Sequence, residues 1–226
     1  MYHNLNLKES IKGIISICMF LVLPYVCQIP FFFLYSLKLI NLNVYMIASY
    51  ILLLTIYIII YRKDLLKDFK DFKKNYKSIL KTTIEYYLTG LIIMMLSNFI
   101  INSIGINNTA NEELNRDILE NHILFQFITA GFIAPIIEEL VFRKSLRKVS
   151  DNKYIYITIS ALIFAIIHIL SSINTLSDLK MLIHIIPYGA MGAAFASAYY
   201  KTDNIYGTII IHGMHNIITL LLLLNI

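Results

Sequence analysis

Charged residues are scarce in this chain. Only 15% of its 226 residues are Asp, Glu, Lys or Arg, whereas 58% are hydrophobic, and the mean hydropathy is +0.69. A soluble domain of this size has about 25% charged residues. This shortage excludes a soluble globular protein, so the function must lie in or beside a membrane.

Cysteine, proline and glycine are also few, with two, four and eight residues respectively. Both cysteines, Cys18 and Cys27, fall in one apolar block, and a disulfide between them on a single helix is geometrically implausible. We therefore expect both to be apolar packing residues. Because no Pro/Gly-rich linker, low-complexity tract or internal repeat divides the chain, we expect one membrane domain over 1–226.

Long apolar runs, by contrast, are abundant. Crossing a bilayer takes about 20 residues per helix, and seven blocks are long enough: roughly 13–36, 43–61, 82–104, 123–143, 154–173, 180–200 and 205–225. The first block is too long for a signal peptide and lacks a small-residue cleavage site. The sequence therefore predicts an all-α, polytopic membrane protein with about seven transmembrane helices.

Basic residues cluster on alternate sides of successive blocks. The stretch 62–81 holds eight Lys/Arg and 143–153 holds five, whereas the loop 105–121 is acidic. This positive-inside pattern places the amino terminus inside and argues against nucleic acid as the partner of a chain with net charge +5. The heavy use of Ile, Asn, Lys and Tyr suggests an AT-rich bacterial genome, and hence a bacterial cell membrane.

The basic stretch 62–81 leaves two interpretations open. It could be an amphipathic segment on the anionic inner leaflet, or a solvated cytoplasmic loop. The sequence favours neither.

Ionisable residues inside apolar blocks are the informative ones, because a charge at mid-membrane costs about 2.5–3.5 kcal/mol on insertion scales. Glu138 and Glu139 are adjacent in such a block, and Arg143 lies four residues after Glu139. This spacing predicts an ion pair between Glu139 and Arg143. Glu138, rotated by about 100°, would face elsewhere and could serve as a base. The alternative is a charge cluster at the end of a helix that reaches the inner interface.

His168 lies deep in the next apolar block, with Phe164 one turn away on the same face. A lone histidine on an apolar helix is more often a hydrogen-bonded packing residue than a catalytic one. However, Glu138 and His168 are each 15 residues from Lys153. In an antiparallel hairpin that turns near Lys153, both residues would lie at one depth, about 22 Å from the turn.

The last apolar block contains His212 and Asn216, four residues apart and therefore on one helix face. Counted from the turn near 202–204, this pair lies about 12–18 Å deep. That depth equals the depth of Glu138 and His168 if the 144–153 hairpin protrudes by a turn or two. His215 faces about 60° away, and we expect it to serve packing or a bond between helices.

In this order and spacing, the motifs E-E-x-x-x-R, F-x-x-x-H and H-x-x-x-N resemble the CAAX protease and bacteriocin-processing (Abi) family of intramembrane peptidases, which is related to type II CAAX prenyl endopeptidases. The resemblance covers about 120–220. It suggests a catalytic core at 116–226, with the active site among the C-terminal four helices. In 1–115 the helices match only as hydrophobic segments. Lys144 departs from the family, in which glycine often follows the arginine.

The resemblance implies that Glu138 and His168 activate a water for attack on a peptide bond, while His212 and Asn216 stabilise the oxyanion. Glu139, Arg143 and Phe164 would support them. The cofactor stays open: Glu138, His168 and His212 could bind Zn²⁺, or the reaction could proceed without metal.

The expected partners are the lipid bilayer and a membrane-associated peptide or protein substrate, and the oligomeric state is not predicted. A non-enzymatic membrane regulator or bacteriocin-immunity protein with the same fold is the main alternative. A proton-coupled transporter is less favoured, because no inverted repeat is visible.

Overall fold

The structure is a computed structural model that describes residues 7–106, 108–173 and 176–224. Seven helices make up most of this part: α1 (Leu7–Ser36), α2 (Leu42–Ser103), α3 (Ala110–Asn121), α4 (Ile123–Val149), α5 (Lys153–Ile169), α6 (Ile185–Thr202) and α7 (Ile205–Leu224). Two 3-10 segments, Leu170–Ser172 and Leu176–His184, lie between α5 and α6. None of the described residues is in a strand, so the predicted all-α class is confirmed.

Six of these helices, all except α3, are long and apolar enough to cross a membrane. The protein is therefore a multi-pass membrane protein. The prediction of seven separate spans differs from this count because the blocks 43–61 and 82–104 lie in one continuous 62-residue helix, α2. The basic stretch 62–81 continues that helix, since it contains neither proline nor glycine and its lysines favour helix.

The centre of α2 crosses the end of the helix bundle at the start of α7. Asp68 accepts a hydrogen bond from the backbone N–H of Ile205, at 3.3 Å. A Cβ on Gly207 would lie 2.8 Å from the side chain of Ile79. About 16 Å of helix separates Asp68 from Ile79, but both lie against the first turn of α7. This segment therefore runs across the axis of α7 rather than along it.

The two apolar halves of α2 extend away from this crossing along different neighbours. In the first half, Tyr45 donates to Gln28 near the end of α1, at 2.9 Å. In the second half, Gly90 packs so closely on Ala194 of α6 that a Cβ there would lie 2.6 Å away. Each apolar half therefore packs as its own segment, joined by the basic stretch.

Lys144, the residue that departs from the family motif, is buried and pairs with Asp68 of α2, which is also buried. The side-chain amide of Asn204 donates to the backbone carbonyl of Asp68 at 2.8 Å. Removing one partner of a buried ion pair costs about 3–5 kcal/mol. The ion pair between Lys144 and Asp68 therefore holds the centre of α2 against α4, next to Arg143 in the sequence.

Two π-helical segments interrupt α4, at Thr129–Ile133 and Leu140–Ser145, and the two glutamates lie on the α-helical turn between them. Pro135, which has no N–H to donate, stands at the start of this turn, where the first π segment ends. π segments carry an extra residue per turn and are frequent at functional sites. The two π segments therefore determine the directions in which the side chains of the two glutamates point from α4.

Candidate active site

The completely buried part of the site is an ion pair between Arg143 and Glu139, both in α4. Arg143 Nε lies 3.2 Å from Glu139 Oε2, and both side chains have no exposed surface. Arg143 also donates to Ser160 Oγ of α5 at 2.8 Å and lies over the Phe164 ring, 5.1 Å from its centre. The predicted pairing of Glu139 with Arg143 is confirmed. A buried charge needs such partners, and here two helices supply them.

His212 of α7 connects the two glutamates. Its Nδ1 lies 3.0 Å from Glu139 Oε1, within hydrogen-bond distance, and its Nε2 lies 3.8 Å from Glu138 Oε2. The imidazole is 6% exposed and stacks on Phe195, with ring centres 5.1 Å apart. The sequence predicted the shared depth of His212 and Glu138 but not the bond to Glu139. That bond depends on how α7 packs on α4.

The partners of His212 determine which of its nitrogens carries a proton. Glu139 is ionised because it pairs with Arg143, and a carboxylate only accepts hydrogen bonds. His212 Nδ1 must therefore donate to Glu139. Its Nε2, 3.8 Å from Glu138, carries a proton only when the ring is the imidazolium cation.

The two glutamates have different surroundings. Glu138 is 17% exposed at its side chain, whereas Glu139 is completely buried. The second π segment begins directly after them. Glu138 is thus the carboxylate that water or a substrate can reach, as its rotation from Glu139 predicted.

His168 differs from His212 in its hydrogen-bond partner, which is a backbone carbonyl rather than a carboxylate. Its Nδ1 lies 2.7 Å from the backbone carbonyl of Phe164, to which it must donate. In the neutral ring Nε2 is then left as an acceptor. The imidazole lies between two aromatic rings, 4.3 Å from the centre of Phe164 and 4.9 Å from that of Tyr188. These contacts hold the plane of the ring.

Tyr188 is a residue that sequence reasoning missed. It stacks on His168 at an interplanar angle of 29°, and its hydroxyl lies 3.2 Å from Thr109 Oγ1. Thr109 caps the amino terminus of α3 in a capping box with Glu112. No pattern in the apolar sequence of α6 distinguishes this tyrosine, because its role depends on packing between α5 and α6.

Asn216 donates from Nδ2 to the backbone carbonyl of Ala130 at 2.7 Å, within the first π segment of α4. The helices approach so closely here that a Cβ on Gly213 would lie 2.8 Å from the carbonyl oxygen of Gly131. An amide nitrogen has two hydrogens. The bond to Ala130 uses one and orients the other.

The aromatic ring of Phe164 lies between the two histidines. Its centre is 4.3 Å from that of His168 and 6.1 Å from that of His212. Phe164 therefore contacts both histidines, and Glu138 of α4 lies beside His212. Asn216 instead contacts the backbone of Ala130 on α4. His215 lies apart, with its Nδ1 3.2 Å from the hydroxyl of Tyr87 on α2, so its expected role in contact between helices is confirmed.

Metal ligation fits this arrangement poorly. Within 7–106, 108–173 and 176–224, no three His, Cys, Asp or Glu side chains are close enough together to hold one ion. Glu138, His168 and His212, the possible zinc ligands, thus do not form a three-ligand set in this conformation.

Comparison with known proteins agrees with the resemblance seen in the motifs. Residues 120–218 match the family described as "Type II CAAX prenyl endopeptidase Rce1-like". The match contains all three motifs and leaves out α1, α2 and α3 apart from its end.

Two curated proteins are similar over most of the chain. "Putative membrane peptidase YdiL" of Bacillus subtilis is 30% identical over 149 residues, which are 62% of this chain and 56% of that protein. An uncharacterised protein of Mycoplasma capricolum is 28% identical over 168 residues, 69% of this chain and 47% of that protein. The chain thus aligns with about half the length of each relative. No solved structure matches.

Proposed function

We propose that this protein is an intramembrane endopeptidase in which Glu138 activates a water molecule to hydrolyse a peptide bond. The observation that carries the proposal is the chain of contacts from Arg143 through Glu139 and His212 to Glu138. An ion pair that served stability alone would need no contact beyond Glu139. Here it continues through a histidine to a second, partly exposed carboxylate. The match to a family of endopeptidases supports the same conclusion.

In the proposed reaction, the water oxygen attacks the peptide carbonyl carbon while Glu138 takes the proton that the water loses. His168 Nε2, left as an acceptor by the bond from Nδ1 to Phe164, orients that water through its second hydrogen. When the tetrahedral intermediate collapses, the C–N bond breaks and Glu138 returns the proton to the leaving amine. One residue thus acts as base and then as acid.

The negative oxygen of the intermediate requires hydrogen-bond donors. In its imidazolium form His212 donates from Nε2, while its Nδ1 proton stays engaged by Glu139. The second N–H of Asn216, which the bond to Ala130 leaves unused, is the other proposed donor. Removing one such donor commonly costs about 100- to 1,000-fold in rate. The two histidines therefore have opposite roles, set by a carbonyl partner in one case and a carboxylate partner in the other.

The depth of the site favours a membrane-associated substrate. Glu138 is about 16 Å along α4 from Val149 and about 22 Å from Ile123, which is near the middle of a bilayer core about 30 Å thick. A peptide bond at that depth belongs to a membrane-embedded or lipid-anchored segment. We propose a short membrane-associated peptide or leader as the substrate class, in a bacterial cell membrane with the amino terminus of the protein inside.

The test compares the membrane peptides of cells that contain the wild-type protein with those of cells that contain Glu138→Gln. The matched control is Glu85→Gln, an exposed glutamate of α2 that is outside the site. We expect peptides that depend on wild type and on the control but disappear with Glu138→Gln. Identical peptide profiles for all three would contradict a peptidase and would favour the regulator or immunity protein. Purified protein incubated with a candidate peptide then identifies the cleaved bond.

A further inference from the structure

The basic segment of α2 carries a row of lysines that the proposed reaction does not use. The lysine stripe consists of six residues at alternating spacings of four and three: Lys63, Lys67, Lys70, Lys74, Lys77 and Lys81. On a helix these spacings keep all six within about 80° of one another over roughly 27 Å. All six are exposed.

The acidic residues of the same segment face the protein and are already paired. Asp64 binds Lys148 at 2.9 Å and Lys12 at 3.3 Å, while Asp68 pairs with buried Lys144. Asp71 accepts from Asn204 at 2.9 Å. Asp64 and Asp68 therefore do not neutralise the stripe. Asp71 has only uncharged partners and lies beside Lys67, Lys70 and Lys74, so it offsets part of the charge.

The stripe itself has little internal compensation. Among the described residues, Lys67 is the one stripe lysine in an ion pair, at 4.0 Å from Asp203, and both of these side chains are more than half exposed. A pair so exposed contributes little. With Asp71 counted, the six lysines leave the stripe with a net charge of about five positive units.

An exposed apolar row borders the stripe. Leu66, Phe69 and Tyr76 are 63%, 40% and 46% exposed, and they lie on one side of the lysines around the helix. Exposed Arg62 and Lys73 lie among them, with Lys73 Nζ 4.6 Å from the centre of the Phe69 ring. Such long basic side chains can pack their stems on apolar residues while their charges extend toward phosphates. Because the segment crosses the start of α7, it lies at the ends of the membrane-spanning helices, where headgroups meet acyl chains. A helix with a lysine face beside an apolar face lies in that layer, with the apolar side toward the acyl chains and the lysines toward phosphates.

We propose that the lysine stripe is a binding surface for anionic phospholipid headgroups. The charge pattern, the apolar border and the position of the segment all fit this ligand, and they favour the membrane-surface interpretation of 62–81 over the solvated loop. The inference is independent of the proposed peptidase activity. It assigns to the N-terminal half of the chain, outside the family match, the recognition of a lipid class.

The test uses native mass spectrometry of the full-length protein, titrated with phosphatidylglycerol or with phosphatidylcholine that has the same acyl chains. Wild type should prefer phosphatidylglycerol. The variant Lys63→Gln/Lys70→Gln/Lys74→Gln should lose this preference by about tenfold or more, since each basic residue at a surface adds to the attraction. The control Lys38→Gln/Arg116→Gln/Lys180→Gln removes the same charge from exposed positions outside the segment and should keep it.

Two further arms separate the alternatives. Arginine at the same three stripe positions restores the charge and should restore the preference, so a loss caused by misfolding would be recognised. Inorganic phosphate should not displace the bound lipid; full displacement at millimolar phosphate would identify a soluble anion as the ligand instead. Equal binding of the two lipids by wild type, or an unchanged preference in the glutamine variant, would overturn the proposal.

Discussion

His212 Nδ1 lies 3.0 Å from Glu139 Oε1, and this bond joins a buried ion pair to the candidate catalytic carboxylate. Because Arg143 keeps Glu139 ionised, the histidine must donate to it. The other ring nitrogen of His212, Nε2, lies 3.8 Å from Glu138 Oε2. The second glutamate of the motif thus positions His212 as well as neutralising Arg143.

Glu138→Gln, His168→Ala and His212→Ala should each abolish cleavage while the protein still inserts and purifies normally. The loss in any one should be close to the loss in all three together, because groups that act as a unit are not additive. Asn216→Ala should leave a residual rate. Initial rates on a cleaved peptide measure this, with Glu85→Gln as the active control. Full activity of the Glu138→Gln variant would show that Glu138 is not the general base.

Arg143→Ala should lower stability by about 3–5 kcal/mol, because it leaves Glu139 as an unpaired buried charge. Glu139→Gln/Arg143→Gln removes both charges and should recover more folded protein than Arg143→Ala alone. Thermal unfolding in detergent measures the difference. If the double variant is no more stable than the single, the pairing contributes nothing to the fold.

The same double variant separates stability from chemistry. A glutamine at position 139 can still accept from His212 but no longer stabilises the imidazolium, so cleavage should stay far below wild type even where folding is restored. Wild-type activity in the folded double variant would show that the charge of Glu139 is not needed.

Gly213→Ala should lower both stability and rate. Its Cβ would lie 2.8 Å from the carbonyl oxygen of Gly131, which forces α7 away from α4 and lengthens the bond from Asn216 to Ala130. Overpacking of this kind costs about 1–3 kcal/mol. Gly189→Ala is the control, since nothing lies within 4 Å of an added Cβ there. Equal effects of the two substitutions on melting temperature and rate would argue against a close contact at Gly213.

Membrane orientation can be checked with single cysteines in a background where Cys18 and Cys27 are alanine. A cysteine at exposed Leu66 should resist an impermeant thiol reagent added outside intact cells, whereas one at exposed Glu113 should react. This follows from the excess of Lys/Arg around 62–81. The reverse labelling would place the amino terminus outside.

Turnover should persist after the purified protein is treated with chelators that reach the site. The expectation rests on side-chain geometry, since Glu138, His168 and His212 do not gather into a three-ligand set in the described structure. Elemental analysis gives the metal content alongside the rate. Stoichiometric zinc that disappears in His168→Ala, together with activity restored by added zinc, would instead support a metal site.

The helical membrane class and the ion pair within α4 could both be predicted from local properties of the sequence. Composition and block length are local quantities, and an i, i+4 pair such as Glu139 and Arg143 needs only a helix to bring its members together. The common face of His212 and Asn216 follows in the same way. Periodicity therefore predicted each motif and its approximate depth.

The contacts that these motifs make, by contrast, follow from how the helices pack on one another. The bond from His212 to Glu139 and the stacking of Tyr188 on His168 both depend on the packing of segments far apart in sequence. The continuity of α2 across two predicted spans is instead a local feature, since 62–81 contains neither proline nor glycine. Lys144 appeared only as a departure from a motif, and its buried partner Asp68 lies 76 residues away. Residue spacing along one helix cannot specify such contacts. They depend on the angles at which helices cross and on where π segments change the direction in which side chains point.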